Sequence, residues 1–221
     1  MSIAPQTQIT IPPLHQWIAA TWADYVALRD APIEERMRLF FDRGWMWLDM
    51  GGEGISHSQV SDLMTMLFLG WAMQHPEQTF NSFGRCLLEK PETQACALDL
   101  VLYLGEDYPR WREGEPRRID LTRWRVPNLV GEIADTTLAT DLDEKKHLYE
   151  ALEISEYWAI DVRGRRIFAF ELQSGKYEVC TTSQALSGLP ISLLEQAIDR
   201  LTEGTNTSAA AWFAQQIQAV E

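Results

Sequence analysis

Residues 128–162 constrain the fold more than any other part of the sequence. "NLVGEIA" (128–134) and "EYWAIDV" (156–162) are short apolar runs, and "TDLDEKKHLYEAL" (140–152) between them has the period of an amphipathic helix. Two strands joined through a helix run parallel in one sheet, and such a sheet is covered by helices. The segment therefore predicts an α/β fold with a mixed central β-sheet flanked by helices.

Period-two alternation and turn residues predict further strands. One hairpin breaks at Asp42–Gly44, and a second crosses Arg163–Gly164. "TFNSFGRCLLEK" (79–90) and "ACALDLVLYLG" (95–105) each predict one strand, and the second is apolar on both faces, as expected of a central strand. These strands extend the sheet around the crossover.

Helical spacing and capping residues predict where the helices begin. Ser56 with Gln59 forms the sequence pattern of a capping box at the start of one helix. Thr140 with Asp143 predicts a similar cap on the crossover helix. Two further helices close the chain after the second hairpin.

A chain of 221 residues can bury a hydrophobic core large enough to fold without stabilising disulfides or metal ions. We expect a single domain over 1–221, divided into an N-terminal tail and helix (1–38), a core (39–172), and a C-terminal strand with helices (173–221). The first 12 residues are polar and contain proline, which predicts a tail.

Bulk composition limits the class of protein and its location. The apolar stretches are shorter than the ~20 residues that a bilayer crossing needs, and the N-terminus lacks the features of a secretory signal. The three cysteines have no CxxC spacing, so neither a disulfide framework nor a zinc site is indicated. We therefore expect a cytoplasmic protein with no membrane partner.

Three charged residues in otherwise apolar strands and on the apolar side of a helix indicate a candidate catalytic site. Asp99 is the lone charge in "ALDLVLYL", where alternation predicts that it shares a face with Ala97 and Val101. Glu132 is likewise alone in "NLVGEIA". At about 100° per residue, Lys145 falls within the apolar arc of the crossover helix. If the two strands are neighbours, the carboxylates and the ammonium group converge under this helix.

Two close carboxylates repel each other unless a cation lies between them. Mg²⁺ or Mn²⁺ suits this role, because such ions prefer oxygen ligands, polarise phosphoryl oxygen and lower the pKa of bound water. Lys145 would orient that water or stabilise charge on phosphorus. The alternative is structural: Asp99 and Glu132 are hydrogen-bond acceptors or strand-end residues, and Lys145 extends to solvent along its stem.

The quoted motifs resemble those of the Uma-two family of putative restriction endonucleases, within the PD-(D/E)XK nuclease superfamily. The resemblance covers approximately residues 39–172 and rests on these pieces: Leu98-Asp99, Glu132-Ile133, the Asp141 to Lys145 to Tyr149 spacing, and Glu156-Tyr157-Trp158. Leu98 stands where the family pattern has proline, and Ala134 stands where a strand lysine would be, so Lys145 fills that role from the helix.

The resemblance implies a restriction-endonuclease-like fold and Mg²⁺-dependent hydrolysis of DNA, with a homodimer or higher homo-oligomer as the working assembly. It implies that Asp99, Glu132 and the Ile133 carbonyl bind the metal. His57 matches the family histidine as a catalytic candidate, with a structural role at a helix start as the alternative. The upstream acid is Glu53 or Asp49, and Glu53 is the catalytic candidate.

An Arg- and Trp-rich segment is the candidate DNA contact. Residues 110–125 carry six Arg against three acidic residues, a net charge of +3 within a chain of net charge -13. Arg binds phosphate and Trp stacks on bases. The proposed contacts are Arg112, Arg117, Arg118, Arg123 and Trp111. The alternative is a solvated connection whose arginines pair with acidic side chains.

Other functions stay open at the level of sequence. A non-catalytic protein-interaction module that keeps the nuclease-like fold is one alternative, and the net negative charge favours it because a duplex would be repelled outside the basic segment. A hydrolase acting on RNA or another phosphodiester is a further alternative. The residues do not separate it from a DNA endonuclease.

Overall fold

The computed structural model describes residues 11–32, 37–51 and 53–218, and the strands within these ranges form two mixed sheets. The predicted α/β class, with a mixed sheet between helices, is confirmed, and the structure adds the second sheet. The polar tail expected over residues 1–12 lies almost entirely outside the described residues.

The strands have the following bounds in chain order: β1 (Ile18–Ala19), β2 (Met37–Asp42), β3 (Trp45–Met50), β4 (Phe80–Ser82), β5 (Cys86–Lys90), β6 (Gln94–Leu98), β7 (Leu100–Leu104), β8 (Ile119–Asp120), β9 (Leu129–Ala134), β10 (Glu156–Asp161), β11 (Arg166–Gln173) and β12 (Lys176–Val179). The helices are α1 (Trp22–Arg29), α2 (Ile55–Gln74), α3 (Leu138–Leu142), α4 (Glu144–Ala151), α5 (Ile191–Asp199) and α6 (Asn206–Ile217).

The first sheet has the order β1-β3-β2-β6-β5-β8, and the second has the order β12-β11-β10-β9-β7-β4. The predicted crossover lies in the second sheet, where β9 and β10 pair in parallel with Glu132 opposite Ala159. Strand β7 is the antiparallel neighbour of β9 on its other side. Both predicted hairpins, β2–β3 and β10–β11, are present.

The prediction of one continuous strand through Asp99 is wrong. The chain leaves β6 in the first sheet and enters β7 in the second, and Asp99 is the corner residue between them. Regular alternation would place Leu98 and Val101 on opposite faces of one strand. Because the chain turns at Asp99, both side chains lie in one hydrophobic cluster. "TFNSFGRCLLEK" is divided in the same way, because β4 belongs to the second sheet and β5 to the first.

The capping predictions for two helices are also wrong. The crossover helix is interrupted at Asp143 (φ -119°, ψ -91°), which separates α3 from α4. The side chain of Asp141 in α3 is turned into the protein, where it accepts a hydrogen bond from Thr137 Oγ1 at 2.7 Å. Helix α2 begins after Gly54, and neither Ser56 nor Gln59 caps it within the described residues. The sequence pattern identified the helices but not their first turns.

Apolar layers fill the space between these elements. One core lies between the second sheet and the helices α2, α5 and α6. A second core lies between the two sheets and α4, and it includes Phe40, Trp47, Val130, Leu148 and Tyr157. Trp158 points to the opposite face of β10 and belongs to the first core. None of the helices within the described residues is long and apolar enough to cross a bilayer.

Gly131 is the point of closest approach between β9 and β7, and we expect Gly131→Ala to destabilise the protein. A Cβ atom there would lie 3.1 Å from Leu100 Cδ1 and 3.4 Å from the Trp158 carbonyl oxygen. Overpacking of this kind lowers the free energy of unfolding by about 1–3 kcal/mol. Urea denaturation followed by circular dichroism measures the change.

Gly70→Ala is the matched control. A Cβ at Gly70 in α2 meets Phe213 Cδ1 at 3.5 Å, an ordinary contact, so the gain in helix propensity of roughly 1 kcal/mol should dominate. A Gly131→Ala protein as stable as the wild type would contradict the close packing between β9 and β7.

Candidate active site

Asp99 lies at the corner between the sheets and is almost fully buried, with 1% of its surface exposed. Its Oδ2 atom accepts a hydrogen bond from the backbone N–H of Ile133 at 2.8 Å. Ile133 lies beyond the last register pair of β7 and β9, which is Leu100 opposite Gly131. The carboxylate therefore continues the pairing past the end of β7 and holds Asp99 against β9.

Glu132 points from β9 into the same buried space, also with 1% exposure. Its Oε2 atom accepts a hydrogen bond from Arg38 Nη2 at 2.7 Å, and its Oε1 atom accepts one from the Tyr149 hydroxyl. The same Arg38 Nη2 lies 3.3 Å from Asp99 Oδ1. A single guanidinium group from β2 thus bridges the two carboxylates that the sequence predicted to meet.

Lys145 is directed into the protein from α4, as the helical phase predicted, and has 1% exposure. Its Nζ atom lies 2.8 Å from Asp141 Oδ1 and 3.9 Å from Glu132 Oε1. The ammonium group also lies 4.3 Å from the centre of the Phe40 ring and 4.5 Å from that of Trp47. Lys145 is therefore enclosed by acids on one side and aromatic faces on the other, and its stem does not lead to solvent.

His57 and Glu53 approach Asp99 from the start of α2. His57 Nε2 lies 3.2 Å from Asp99 Oδ2, and His57 Nδ1 lies 3.6 Å from Glu53 Oε2. Glu53 Oε2 is also 2.5 Å from Arg85 Nη2. Helix α2 therefore adds an imidazole group, and the residue before its N-cap adds a third carboxylate.

Asp49, the other acid considered from the sequence, is engaged elsewhere. Its Oδ1 atom lies 3.3 Å from His15 Nε2. Glu53 is therefore the upstream acid that meets His57 and Asp99.

The surroundings shift the pKa values of Asp99 and Glu132 in opposite directions. Burial alone raises the pKa of Asp99, but the hydrogen bond with His57 and the charge of Arg38 outweigh it and lower that pKa to about 2. Burial raises the pKa of Glu132 to about 7, although Lys145 and Arg38 act against the rise. Asp99 is therefore an ionised carboxylate near neutral pH, whereas Glu132 titrates there.

The pKa of His57 is raised from its ordinary value. Burial by itself lowers this pKa, but the hydrogen bond and charge of Asp99, together with the charge of Glu53, more than offset the burial. The imidazole therefore tends to carry a proton in this environment and to donate it to Asp99 as a hydrogen bond.

The donor set around Asp99 fits a divalent cation. One ligand atom each from Glu53, His57 and Asp99 lies within 4.8 Å of the others. Asp99 Oδ1 and His57 Nδ1 are buried and form no hydrogen bond within the described residues, although each lies near a charged group: Arg38 Nη2 at 3.3 Å and Glu53 Oε2 at 3.6 Å, respectively. Buried polar atoms without hydrogen bonds require an explanation, and carboxylate oxygens together with an imidazole nitrogen are common metal ligands. Of the metal ligands expected from the sequence, this grouping contains Asp99 but not Glu132, and it brings in His57 and Glu53.

A cavity of about 310 Å³ opens beside this cluster. Its wall includes Arg29, Arg38, Arg85 and Glu53. The guanidinium groups of Arg38 and Arg85 are suited to binding phosphate oxygens, whereas that of Arg29 is already paired with Glu89 and Asp30. The cavity therefore offers a route by which an anionic substrate could reach the acids.

The Arg- and Trp-rich segment forms a separate surface. It lines a pocket of about 530 Å³ that shares no lining residue with the cavity beside Arg38. Trp111 is 55% exposed, and the Arg117 guanidinium lies 5.6 Å from the centre of its ring. These two side chains are open to a partner.

Acidic side chains of the protein engage other arginines of this segment. Arg118 Nε lies 2.6 Å from the buried Glu89 carboxylate, and Arg123 Nη2 lies 2.9 Å from Glu115 Oε1. The backbone N–H of Arg112 donates to Glu115 Oε2 at 3.1 Å. The alternative raised from the sequence, in which these arginines pair with acids, therefore applies to Arg118 and Arg123.

Sequence reasoning missed several residues of the cluster. Arg38 shares a face of β2 with Phe40, so an inward cation on that strand could have been found from the alternation. Asp141 and Tyr149 belong to the spacing quoted from the sequence, but their contacts with Lys145 and Glu132 were not predicted, although the four-residue spacing from Lys145 indicates the same face. Arg85 follows a turn, and periodicity gives no information on where its side chain lies.

Comparison with known proteins places the chain near one family. The model of the Uma2 family, described as "Putative restriction endonuclease", matches residues 22–202. Comparison with curated proteins found no match.

The fold is similar to that of a solved structure, described as a putative nuclease belonging to DUF820 from Anabaena variabilis ATCC 29413. The match has a TM-score of 0.59 at 17% sequence identity, and it covers 80% of this chain and 97% of the other. At this identity the likeness concerns the fold.

Lys145→Met is expected to destabilise the protein strongly. The change leaves the buried Asp141 carboxylate without its ammonium partner while nearly preserving side-chain volume, and breaking a buried ion pair costs about 3–5 kcal/mol. Urea denaturation in the presence of a chelator measures the free energy of unfolding.

Lys146→Met is the control, because Lys146 Nζ lies 4.4 Å from the Phe170 ring and is partly exposed. We expect a loss of about 1 kcal/mol or less there. Equal losses at the two positions would show that the buried contacts of Lys145 contribute little.

Proposed function

The chain belongs to the Uma2 family of putative restriction endonucleases, and we propose that it is a divalent-metal-dependent endonuclease that hydrolyses phosphodiester bonds of DNA. The observation that carries the proposal is the meeting of Asp99 and Glu132 around one guanidinium nitrogen, at 3.3 and 2.7 Å. Two buried carboxylates that meet at one site repel each other, so that one of them takes up a proton unless a cation lies between them. The family and the donor set both favour a metal ion as the cation of the working enzyme.

In this proposal Asp99, Glu132 and Glu53 hold the ion, and His57 and the Ile133 carbonyl assist them. In a strand the N–H and C=O groups of one residue point to the same side, so the N–H bond from Ile133 to Asp99 implies that its carbonyl faces the site. Bound there, Mg²⁺ or Mn²⁺ would supply positive charge to a phosphoryl oxygen and would acidify water.

Lys145 acts on Glu132 and on the nucleophile. Its ammonium group favours the ionised form of Glu132, whose pKa burial would otherwise raise further. An ammonium group has three donors, and the ion pair with Asp141, at 2.8 Å, lies on only one side of the group. The remaining donors can orient water beside Glu132 and stabilise negative charge that develops on phosphorus.

In this proposal His57 keeps Asp99 ionised, which is the form that binds a metal ion. Its Nε2 atom lies 3.2 Å from Asp99 Oδ2, and this contact helps to hold the Asp99 pKa at about 2. His57 therefore acts through Asp99, as a positioning residue.

For DNA contact we propose Trp111 and Arg117, with Arg112 beside them. Trp111 is 55% exposed, and stacking on a base suits an exposed indole. The ion pairs of Arg118 and Arg123 make these two less available for phosphate. A homodimer remains part of the proposal, because cutting both strands of a duplex requires two sites.

Cleavage of supercoiled plasmid tests the nuclease function. We expect nicking with Mg²⁺ or Mn²⁺ and none with a chelator. Asp99→Asn keeps the shape of the side chain but removes its charge, and we expect it to lower the rate roughly 100-fold or more. Lys145→Ala should lower it similarly, whereas Lys146→Ala should have little effect.

Equal nicking by wild-type and Asp99→Asn protein would point to a contaminating nuclease. Absence of nicking with every metal would favour the non-catalytic interaction module. Cleavage of an RNA strand without cleavage of DNA would assign the same site to a different phosphodiester.

The salt dependence of DNA binding tests the proposed contact surface. In the inactive Asp99→Asn background, Arg117→Ala should weaken binding to a duplex and reduce the slope of log K against log salt by about 1. Fluorescence anisotropy of a labelled duplex measures both quantities.

Arg200→Ala is the matched control, since the Arg200 guanidinium lies 4.0 Å from the Trp212 ring centre on a different surface. Its binding and salt slope should equal those of the background protein. If Arg117→Ala behaved in the same way, the Trp111 surface would not be the DNA contact.

A further inference from the structure

Two arginines of the described structure contact the acids that we propose as metal ligands. Arg38 Nη2 lies 2.7 Å from Glu132 Oε2 and 3.3 Å from Asp99 Oδ1. Arg85 Nη2 lies 2.5 Å from Glu53 Oε2. Each guanidinium group therefore occupies a carboxylate oxygen that a metal ion would need.

A guanidinium group and a divalent ion cannot both contact these oxygens closely. They carry charge of the same sign, and like charges a few ångströms apart in a buried site repel strongly. Burial opposes the charge on Arg38, yet Glu132 and Asp99 raise its pKa well above the ordinary value, so it does not leave by losing a proton. Metal binding therefore requires the arginine side chains to move.

The two arginines have space into which they can move. Both line the cavity of about 310 Å³ beside the cluster, and their side chains are 20% and 40% exposed respectively. Lys145, with 1% exposure and aromatic rings at 4.3 and 4.5 Å, has no comparable freedom. The arginines are therefore the exchangeable cations, and the lysine is the fixed one.

We propose that Arg38 and Arg85 neutralise the acids of the metal-free site, are displaced into the adjacent cavity when a divalent cation binds, and there bind the phosphate group of the substrate. The phosphate part rests on the proposed nuclease function. The exchange itself depends only on metal binding. In this exchange the two arginines first neutralise carboxylates in the metal-free protein and then contact the substrate. The same side chains can do both, because a planar guanidinium group binds carboxylate or phosphate with the same donors.

Calorimetric titration with Mn²⁺ tests the exchange without any measurement of activity. A competing internal partner lowers apparent affinity, so Arg38→Met and Arg85→Met should each bind Mn²⁺ at least about 10-fold more tightly than the wild type. Circular dichroism and thermal melting confirm folding of each variant. If Arg38→Met does not fold, Arg85→Met, in which a more exposed side chain is changed, decides the question.

Arg29→Met is the matched control for charge. Arg29 lines the same cavity, but its guanidinium pairs with Glu89 at 2.8 Å and Asp30 at 2.7 Å instead of the metal acids. Its Mn²⁺ affinity should stay within about 2-fold of the wild type if contact, and not through-space charge, sets the competition. Equal tightening in all variants, or none in Arg38→Met and Arg85→Met, would overturn the proposal.

Dimethyl phosphate tests the second half of the exchange, because it is a phosphodiester mimic with little affinity of its own for metal ions. In ³¹P NMR, its line should broaden on addition of wild-type protein with Mg²⁺ and much less without Mg²⁺. Arg38→Met and Arg85→Met should lose the Mg²⁺-dependent broadening, and Arg29→Met should largely keep it. Broadening that is independent of Mg²⁺ or of both arginines would overturn the phosphate role.

The two proposals can fail separately. Tighter Mn²⁺ binding by the two variants, in a protein that nicks no plasmid, would support the exchange and reject the nuclease function. Plasmid nicking by a protein whose Mn²⁺ affinity is unchanged in both variants would reject the exchange and retain the nuclease.

Discussion

Carboxylates inside a folded protein must be matched by positive charge, and this requirement organises the region between the two sheets. Removing an ionised group from water costs several kcal/mol, comparable to the whole stability of a domain. Arg38 from the first sheet, His57 from α2 and Lys145 from α4 each meet an acid of the cluster. Because these cations come from separate elements, satisfying the acids also fixes how the elements pack.

The corner at Asp99 connects the two sheets and also places an acid in the candidate site. Asp99 is the residue at which the chain leaves one sheet for the other, and its carboxylate pairs with the backbone of β9 where the ladder of β7 ends. A residue at a corner is free of the strict alternation of a strand, so its side chain can reach the space between the sheets. The same geometry that connects the sheets thus gives a buried acid access to Glu132 and to α2.

In the proposed function, stability without metal and activity with metal place different demands on the cations. The fixed ammonium group of Lys145 keeps Glu132 partly ionised in either state, because acids and aromatic rings enclose it. The arginines lie at the wall of a cavity and can satisfy either a carboxylate or a phosphate. Under the proposed exchange, neutralisation by movable arginines would keep the fold stable in the absence of metal and leave the site open to a metal ion.

The sequence by itself determined the parts of this protein that follow from local periodicity. Alternation and helical phase predicted the β9–β10 crossover, the two hairpins and the inward direction of Lys145, and they indicated that Asp99 and Glu132 would meet if their strands were neighbours. Only the tertiary structure decided that Asp99 is a corner, that the crossover helix is interrupted at Asp143, and that Arg38 and Arg85 meet the acids. Arg38 and Glu132 are 94 residues apart. A repeating pattern specifies which face a side chain occupies, but the packing of distant elements determines which side chain it meets there.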